Sequence, residues 1–185
     1  MDKEELIARL DAPMKFQMVA NSTAIIEGSD LDIRDLLDIS FHKKKEIAFR
    51  AAWMLEYMVT YRPIEYHPHI ETFLSLLPKQ TNLSAMRHYA KIVSLMTERK
   101  SSLMYKEALS QIDLNPVIEA LFTWLVGTKT PVAVKVHCMQ SLANLSSNYD
   151  WIKEELLETV EYLMGVESIA FFARAKMVKK QLSKK

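Results

Sequence analysis

VAVKVHCMQSLANL, residues 132–145, decides the fold. It sets Lys135, His137 and Cys138, the chain's one cysteine, inside a run that otherwise reads as helix interior. At 100° per residue, Val132, Lys135, Met139, Leu142 and Ala143 share one face, while His137, Gln140, Ser141 and Asn144 share the opposite face. Cys138 falls at the edge of the apolar face and diverges from His137 by about 100°. No acid or amide on the helix is spaced to orient that imidazole, so a Cys/His catalytic pair is not expected. The stretch reads as one helix of a stacked array, with Cys138 as a small hydrophobe. Lys135, on the core-side edge, is expected to reach a carboxylate or carbonyl of a neighbouring turn.

Working outward, apolar residues recur at helical spacing almost throughout, and no segment alternates as a half-buried strand would. The expected fold class is all-α, with breaks that cut the chain into pairs of a shorter and a longer helix. First helices are expected at 31–41, 68–77, 115–126 and 150–164, and second helices at 43–61, 82–98, 131–146 and 167–182. Counting from Ala48, Ala85, Ala133 and Ala170, the second helices are offset by 37, 48 and 37 residues. Periods of this size belong to stacked helix pairs. The domain layout is a single unit over 1–185: a capping pair at 1–28, pairs at 31–61, 66–98, 113–147 and 150–183, and a short helix inserted at 100–112. Pro68, Pro116 and Pro131 are expected in first helical turns, Asp150 as a cap before Trp151, Asn82 or Ser84 as a cap before Met86, and Pro13 opening a second helix within the capping pair.

Composition narrows the function classes. The 185 residues carry 24 Lys and Arg against 23 Asp and Glu, so no global field recruits nucleic acid or anionic membrane. Three glycines, Gly28, Gly127 and Gly165, each end an apolar run, which leaves no glycine-rich phosphate loop and no expected cofactor. One cysteine suits a reducing compartment, and MDKEELIARL lacks an apolar signal core, so a cytoplasmic location with no membrane association is expected. The methionines at 54, 58, 86, 96, 104, 139 and 164 recur at core spacing and are expected to pack.

Val134-Lys135-Val-His-Cys138-Met139-Gln-Ser-Leu142-Ala143-Asn-Leu145 resembles the second helix of a HEAT-type repeat, and Phe49-Arg50-Ala-Ala-Trp53-Met54-Leu-Glu-Tyr57 follows the same scheme with Trp53 in the small slot. The resemblance implies a right-handed α-α superhelix of the armadillo type, with second helices along a concave face. The chain as a whole is similar to short bacterial HEAT-like proteins without an established activity, some labelled adenylosuccinate lyase. Ser101-Ser102-Leu-Met104-Tyr105-Lys106 echoes a lyase loop of the form SSxMPxKxNP, yet lacks its prolines, and is read as a helix start.

The resemblance implies a non-catalytic scaffold or adaptor that takes a protein or peptide partner on its concave surface. The partner-binding residues expected there are Lys43, Arg50 and Trp53 in the first repeat, Arg87, His88 and Lys91 in the second, and His137 and Asn144 in the third. Some HEAT-type proteins are alkylpurine DNA glycosylases, which makes a nucleic-acid-binding protein or such an enzyme the alternative, with a small-molecule enzyme as a further one. Acids such as Glu46, Glu56 and Glu98 on the same helices dilute the basic face that phosphate binding needs. His67, His69 and Glu71 alternate around Pro68, but at a helix start alternate residues diverge, and no metal site is expected. The lysines at 176, 179, 180, 184 and 185 are read as partners of a helix C-terminus.

Overall fold

Side-chain capping sets four of the helix starts among the described residues. The computed structural model describes residues 1–13, 18–28 and 30–184, and the described residues form helices and turns with no strand among them. The capping segment holds α1 (Lys3–Asp11) and α2 (Met18–Gly28). Asp2 caps α1 by accepting from the Glu5 amide at 2.8 Å. Then come α3 (Ile33–Ile39) and α4 (Lys45–Tyr61). Asp32 caps α3 through the Arg34 amide at 2.8 Å. The chain continues through α5 (Pro63–Tyr66), α6 (Ile70–Leu76) and α7 (Leu83–Thr97). Of the two expected caps before α7, Asn82 does the work, accepting from the amides of Ser84 and Ala85. Ser102 starts α8 (Leu103–Ser110) by accepting from the Tyr105 amide, as the helix-start reading of SSLMYK requires. Four helices follow: α9 (Asn115–Val126), α10 (Val132–Leu145), α11 (Trp151–Met164) and α12 (Ile169–Leu182). Each side-chain cap stabilises its helix by about 1 kcal/mol.

Two expected starts are corrected. The helix expected from Pro68 begins at Pro63, and Pro68 lies in a 3₁₀ turn, His67–His69, that links α5 to α6. Proline has no amide to donate to the carbonyl four residues back, so the chain tightens there rather than starting anew. Asp150 precedes α11 but its backbone is already helical, and its carboxylate caps nothing; a capping side chain needs the extended conformation at that position. The helix start expected at Pro13 runs into residues 14–17, which lie outside the described residues. The alanines that mark the period are not equivalent in burial: Ala48 and Ala85 are buried, but Ala133 and Ala170 are exposed next to the buried Val134 and Phe171.

The second helices build a continuous layer. α4 packs on α7, α7 on α10 and α10 on α12. Against this layer lie α3 on α4, α9 on α10, and α11 on both α10 and α12. α6 meets α7 through Phe73 and Tyr89, whose ring centroids are 4.7 Å apart. Tyr89 is fully buried, yet its hydroxyl is satisfied 2.7 Å from Ser40 Oγ, and Gln80 Nε2 donates to the Ser40 carbonyl at 3.1 Å. This buried network ties α3, α7 and the segment after α6 together; a hydrogen bond of its kind contributes about 1 kcal/mol. Met54, Met58, Met86, Met96 and Met139 are in the core, and Met104 and Met164 are half-buried.

α10 is the central helix and explains a further correction. Ser141, placed on an outward face by the wheel, is completely buried and donates to the Ala90 carbonyl of α7 at 3.0 Å. A helix flanked on both sides by neighbours covers its lateral residues as well as its core stripe. Lys135 does reach a carboxylate: its side chain is 2% exposed and pairs with Glu167, just before α12, which is 17% exposed. Arg50 likewise donates to the carbonyls of Leu10 and Ala12, tethering the end of α1 to α4. Among the described residues no helix is long and apolar enough to cross a membrane.

Candidate functional site

On the side of the second-helix layer away from the apolar stripe, four helices contribute polar groups to one row. Glu56 of α4 accepts from His88 Nδ1 of α7 at 2.6 Å. Burial pushes the Glu56 carboxyl up, but the His88 hydrogen bond, with smaller help from Lys91 and His137, more than offsets it and leaves the pKa lowered. An ionised carboxylate only accepts, so the His88 proton in this bond sits on Nδ1. The His88 ring packs on Phe49 with centroids 5.1 Å apart, and its Nε2 is buried without a hydrogen-bond partner among the described residues.

His137 of α10 lies next along the row. Burial lowers its pKa to about 4, with the cations of Lys91, Arg87 and Arg174 adding to the effect and Glu56 opposing it. The imidazole is therefore neutral at pH 7, chiefly because it is buried. Arg174 of α12 donates to Gln140 Oε1 at 3.0 Å, and Gln140 donates to Asn144 and Gln181. Asn144 spends its whole amide on this seam, donating to the Ser94 carbonyl and Thr97 Oγ1 and accepting from Gln140 and Gln181.

The structure thus brings together Arg87, His88, Lys91 and His137 from the expected set. It places the other four elsewhere or gives them other work. Arg50 is a tether to α1 and Asn144 is an internal clamp. Trp53 is half-buried against Tyr57, at 5.8 Å, in an aromatic row that runs to Tyr61 and, through the Tyr57 hydroxyl, to Glu27 of α2. Lys43 is exposed in the turn before α4, where its neighbour Lys44 pairs with Asp11 at 2.6 Å. Glu56, Phe49 and Arg174 were not among the expected site residues. A signal for Arg174 existed: it stands 37 residues after His137, one repeat period, just as Gln181 stands 37 after Asn144.

At the far end of the same layer, the C-terminal ends of α7, α10 and α12 and the inserted α8 enclose an open cleft of about 1380 Å³. Its apolar surface comes from Leu109, Ile112, Leu145, Tyr149 and Met177. Its charged lining is five cations, Arg99, Lys100, Lys106, Lys180 and Lys184, against the single acid Glu98. No family model, curated protein or solved structure matches this chain.

Chemically the layer offers cations, the Glu56 carboxylate and a half-buried imidazole, its amides being bonded to one another and to neighbouring helices. Cys138, the one thiol, is fully buried and burial drives its pKa far up, so no thiolate faces that surface. Among the described residues no three of His, Cys, Asp and Glu stand close enough to hold a metal ion.

Proposed function

We propose that the chain is a HEAT-like α-α superhelical scaffold that binds a protein or peptide segment along the exposed face of its second helices. The observation that carries this reading is the continuity of α4, α7, α10 and α12: one layer presents side chains from successive helices in a single row ending in a large cleft. Stacked helix pairs bury their apolar faces against one another and leave such an extended surface for a partner. At about 1380 Å³ the cleft exceeds the roughly 300–1,000 Å³ of ordinary small-molecule sites, which suits a chain segment better than a metabolite. The mixed row of Glu56, Lys91, His137 and Arg174 also suits side-chain recognition better than a uniform run of phosphates.

A random-peptide display selection on the immobilised full-length chain tests the reading, with cross-linking and mass spectrometry of the enriched sequences. Cross-links to α4, α7, α10 and α12 are expected. Cross-links confined to α3, α6, α9 or α11, or no enrichment over bare matrix, would overturn it. Retention of duplex DNA at low salt, lost steeply as salt rises, would replace it with nucleic-acid binding.

A further inference from the structure

We infer that the cleft at the C-terminal end of the second-helix layer is a docking site for an acidic segment that carries interspersed apolar side chains. The inference rests on the scaffold reading above and names the partner's chemistry. Charge complementarity is the first ground. Over the whole chain, acids nearly balance bases, 23 to 24, yet the cleft sets five cations against one acid. Pairing is the second ground. Elsewhere Lys3, Arg9, Lys44 and Lys135 are neutralised by carboxylates, and cations without an ion pair among the described residues, such as Lys79 and Lys129, stand on separate segments rather than around one cleft. In the cleft, Lys106 donates to the Arg99 carbonyl at 2.9 Å, while the side chains of Arg99, Lys100, Lys180 and Lys184 have no hydrogen-bond or ion-pair partner among the described residues. Three helices end here, and their carbonyl ends favour cations nearby. That explains why lysines are tolerated at this end; one contact to a carbonyl leaves four charges unspent.

The floor decides between the two polyanions that such a rim could hold. Leu109, Ile112, Leu145 and Met177 offer apolar contact that a sugar-phosphate backbone cannot use, whereas leucine or phenylalanine side chains on a peptide can. Single-stranded nucleic acid would need a series of flat aromatic faces for its bases, and Tyr149 is the only aromatic residue in the lining. Met177, which is exposed, adds adaptable surface, as expected where a site must accommodate varied apolar partners. The geometry points to acidic residues on the rim cations and apolar residues on the floor.

Fluorescence anisotropy with the full-length chain tests this. The probe is a labelled octapeptide of alternating glutamate and leucine, short enough to occupy the cleft alone. Saturable binding is expected, weakened at least tenfold in the variant Lys100→Glu/Lys180→Glu and changed less than twofold in Arg87→Glu/Lys91→Glu. A second variant, Met177→Ser, removes apolar contact without changing any charge and should weaken the probe by severalfold. An otherwise identical peptide with lysine in place of glutamate should not bind. Binding that survives both cleft variants but is lost in Arg87→Glu/Lys91→Glu would overturn the inference and leave the scaffold reading standing on the other part of the layer. No peptide binding, with tight binding of a single-stranded oligonucleotide of equal charge, would overturn both.

Discussion

Two groups of cations on the second helices are held in opposite ways. Lys135 and Arg50 sit at the core-side edge of their helices, one 2% exposed beside Glu167 and the other donating to carbonyls of the α1 end. Arg99, Lys100, Lys180 and Lys184 stand at the helix ends around an open cleft, with side chains unpartnered among the described residues. The difference separates two jobs that look alike in sequence. A cation on the core edge is bonded inside the fold, and its removal is felt as lost stability. A cation on the cleft rim is solvated, and its removal should be felt only by a ligand.

The sharpest way to break this contrast is to strip a partner from the first group. Glu167→Ala leaves the Lys135 ammonium buried without its carboxylate, and losing one partner of a buried pair costs about 3–5 kcal/mol. Urea unfolding should show that loss, while the double change Lys135→Met/Glu167→Leu should recover most of it, because a packed apolar pair avoids the desolvation cost. A Glu167→Ala protein as stable as the parent would place Lys135 in the solvated group.

His137 sharpens the comparison between the groups, since it is half-buried and faces cations. Its folded pKa, about 4, lies below the ordinary 6.5, so the unfolded chain binds a proton that the folded chain refuses. Its contribution is full above pH 6.5 and drains away as pH falls toward 4. Allowing for solvent screening, His137→Gln should remove about 1–2 kcal/mol of the stability lost over that window. Equal acid sensitivity of the two proteins in unfolding titrations from pH 7 to 4 would contradict the burial of His137 beside Arg87, Lys91 and Arg174. Glu56 has the same sign, since its pKa is lowered and its contribution fades at more acidic pH.

A smaller effect is expected at the buried hydroxyl of Tyr89. Tyr89→Phe keeps the ring contact with Phe73 but deletes the bond to Ser40, and should cost about 1 kcal/mol by thermal or urea unfolding. Smallest of all, Lys100→Glu/Lys180→Glu should leave stability within about 0.5 kcal/mol of the parent, as surface changes usually do. A large destabilisation there would mean that these lysines hold the helix ends rather than await a ligand.

What was legible in the sequence follows the same division. α10 was readable because its apolar stripe, the absence of any acid within 132–145 and its start just after Pro131 all agree with one packed helix. The second helices were readable by period, though the alanines that mark it are not equivalent in burial: Ala48 and Ala85 are buried, while Ala133 and Ala170 are exposed next to the buried Val134 and Phe171. The segment 63–79 was misjudged because proline can open a helix or tighten one, and only neighbouring backbone decides which. Half of the expected binding residues came together on one face, since spacing along a helix fixes which way Arg87, Lys91 and His137 point. The rest depended on contacts between repeats: that Asn144 is used up by α7 and α12, or that Arg50 reaches α1, is set by packing over dozens of residues. The cleft was the least visible, because its rim gathers residues spread from Arg99 to Lys184 and its wall is the inserted α8.

The most direct test of the central claim is a heteronuclear NMR titration of the full-length chain with the glutamate–leucine octapeptide, following backbone amides and methionine methyls. The account expects the largest shifts at Arg99, Lys100, Lys106, Met177 and Lys180, smaller ones along Lys91 and His137, and none on α3 or α11. Shifts centred on α3, α9 or α11, with the cleft silent at saturating peptide, would contradict it.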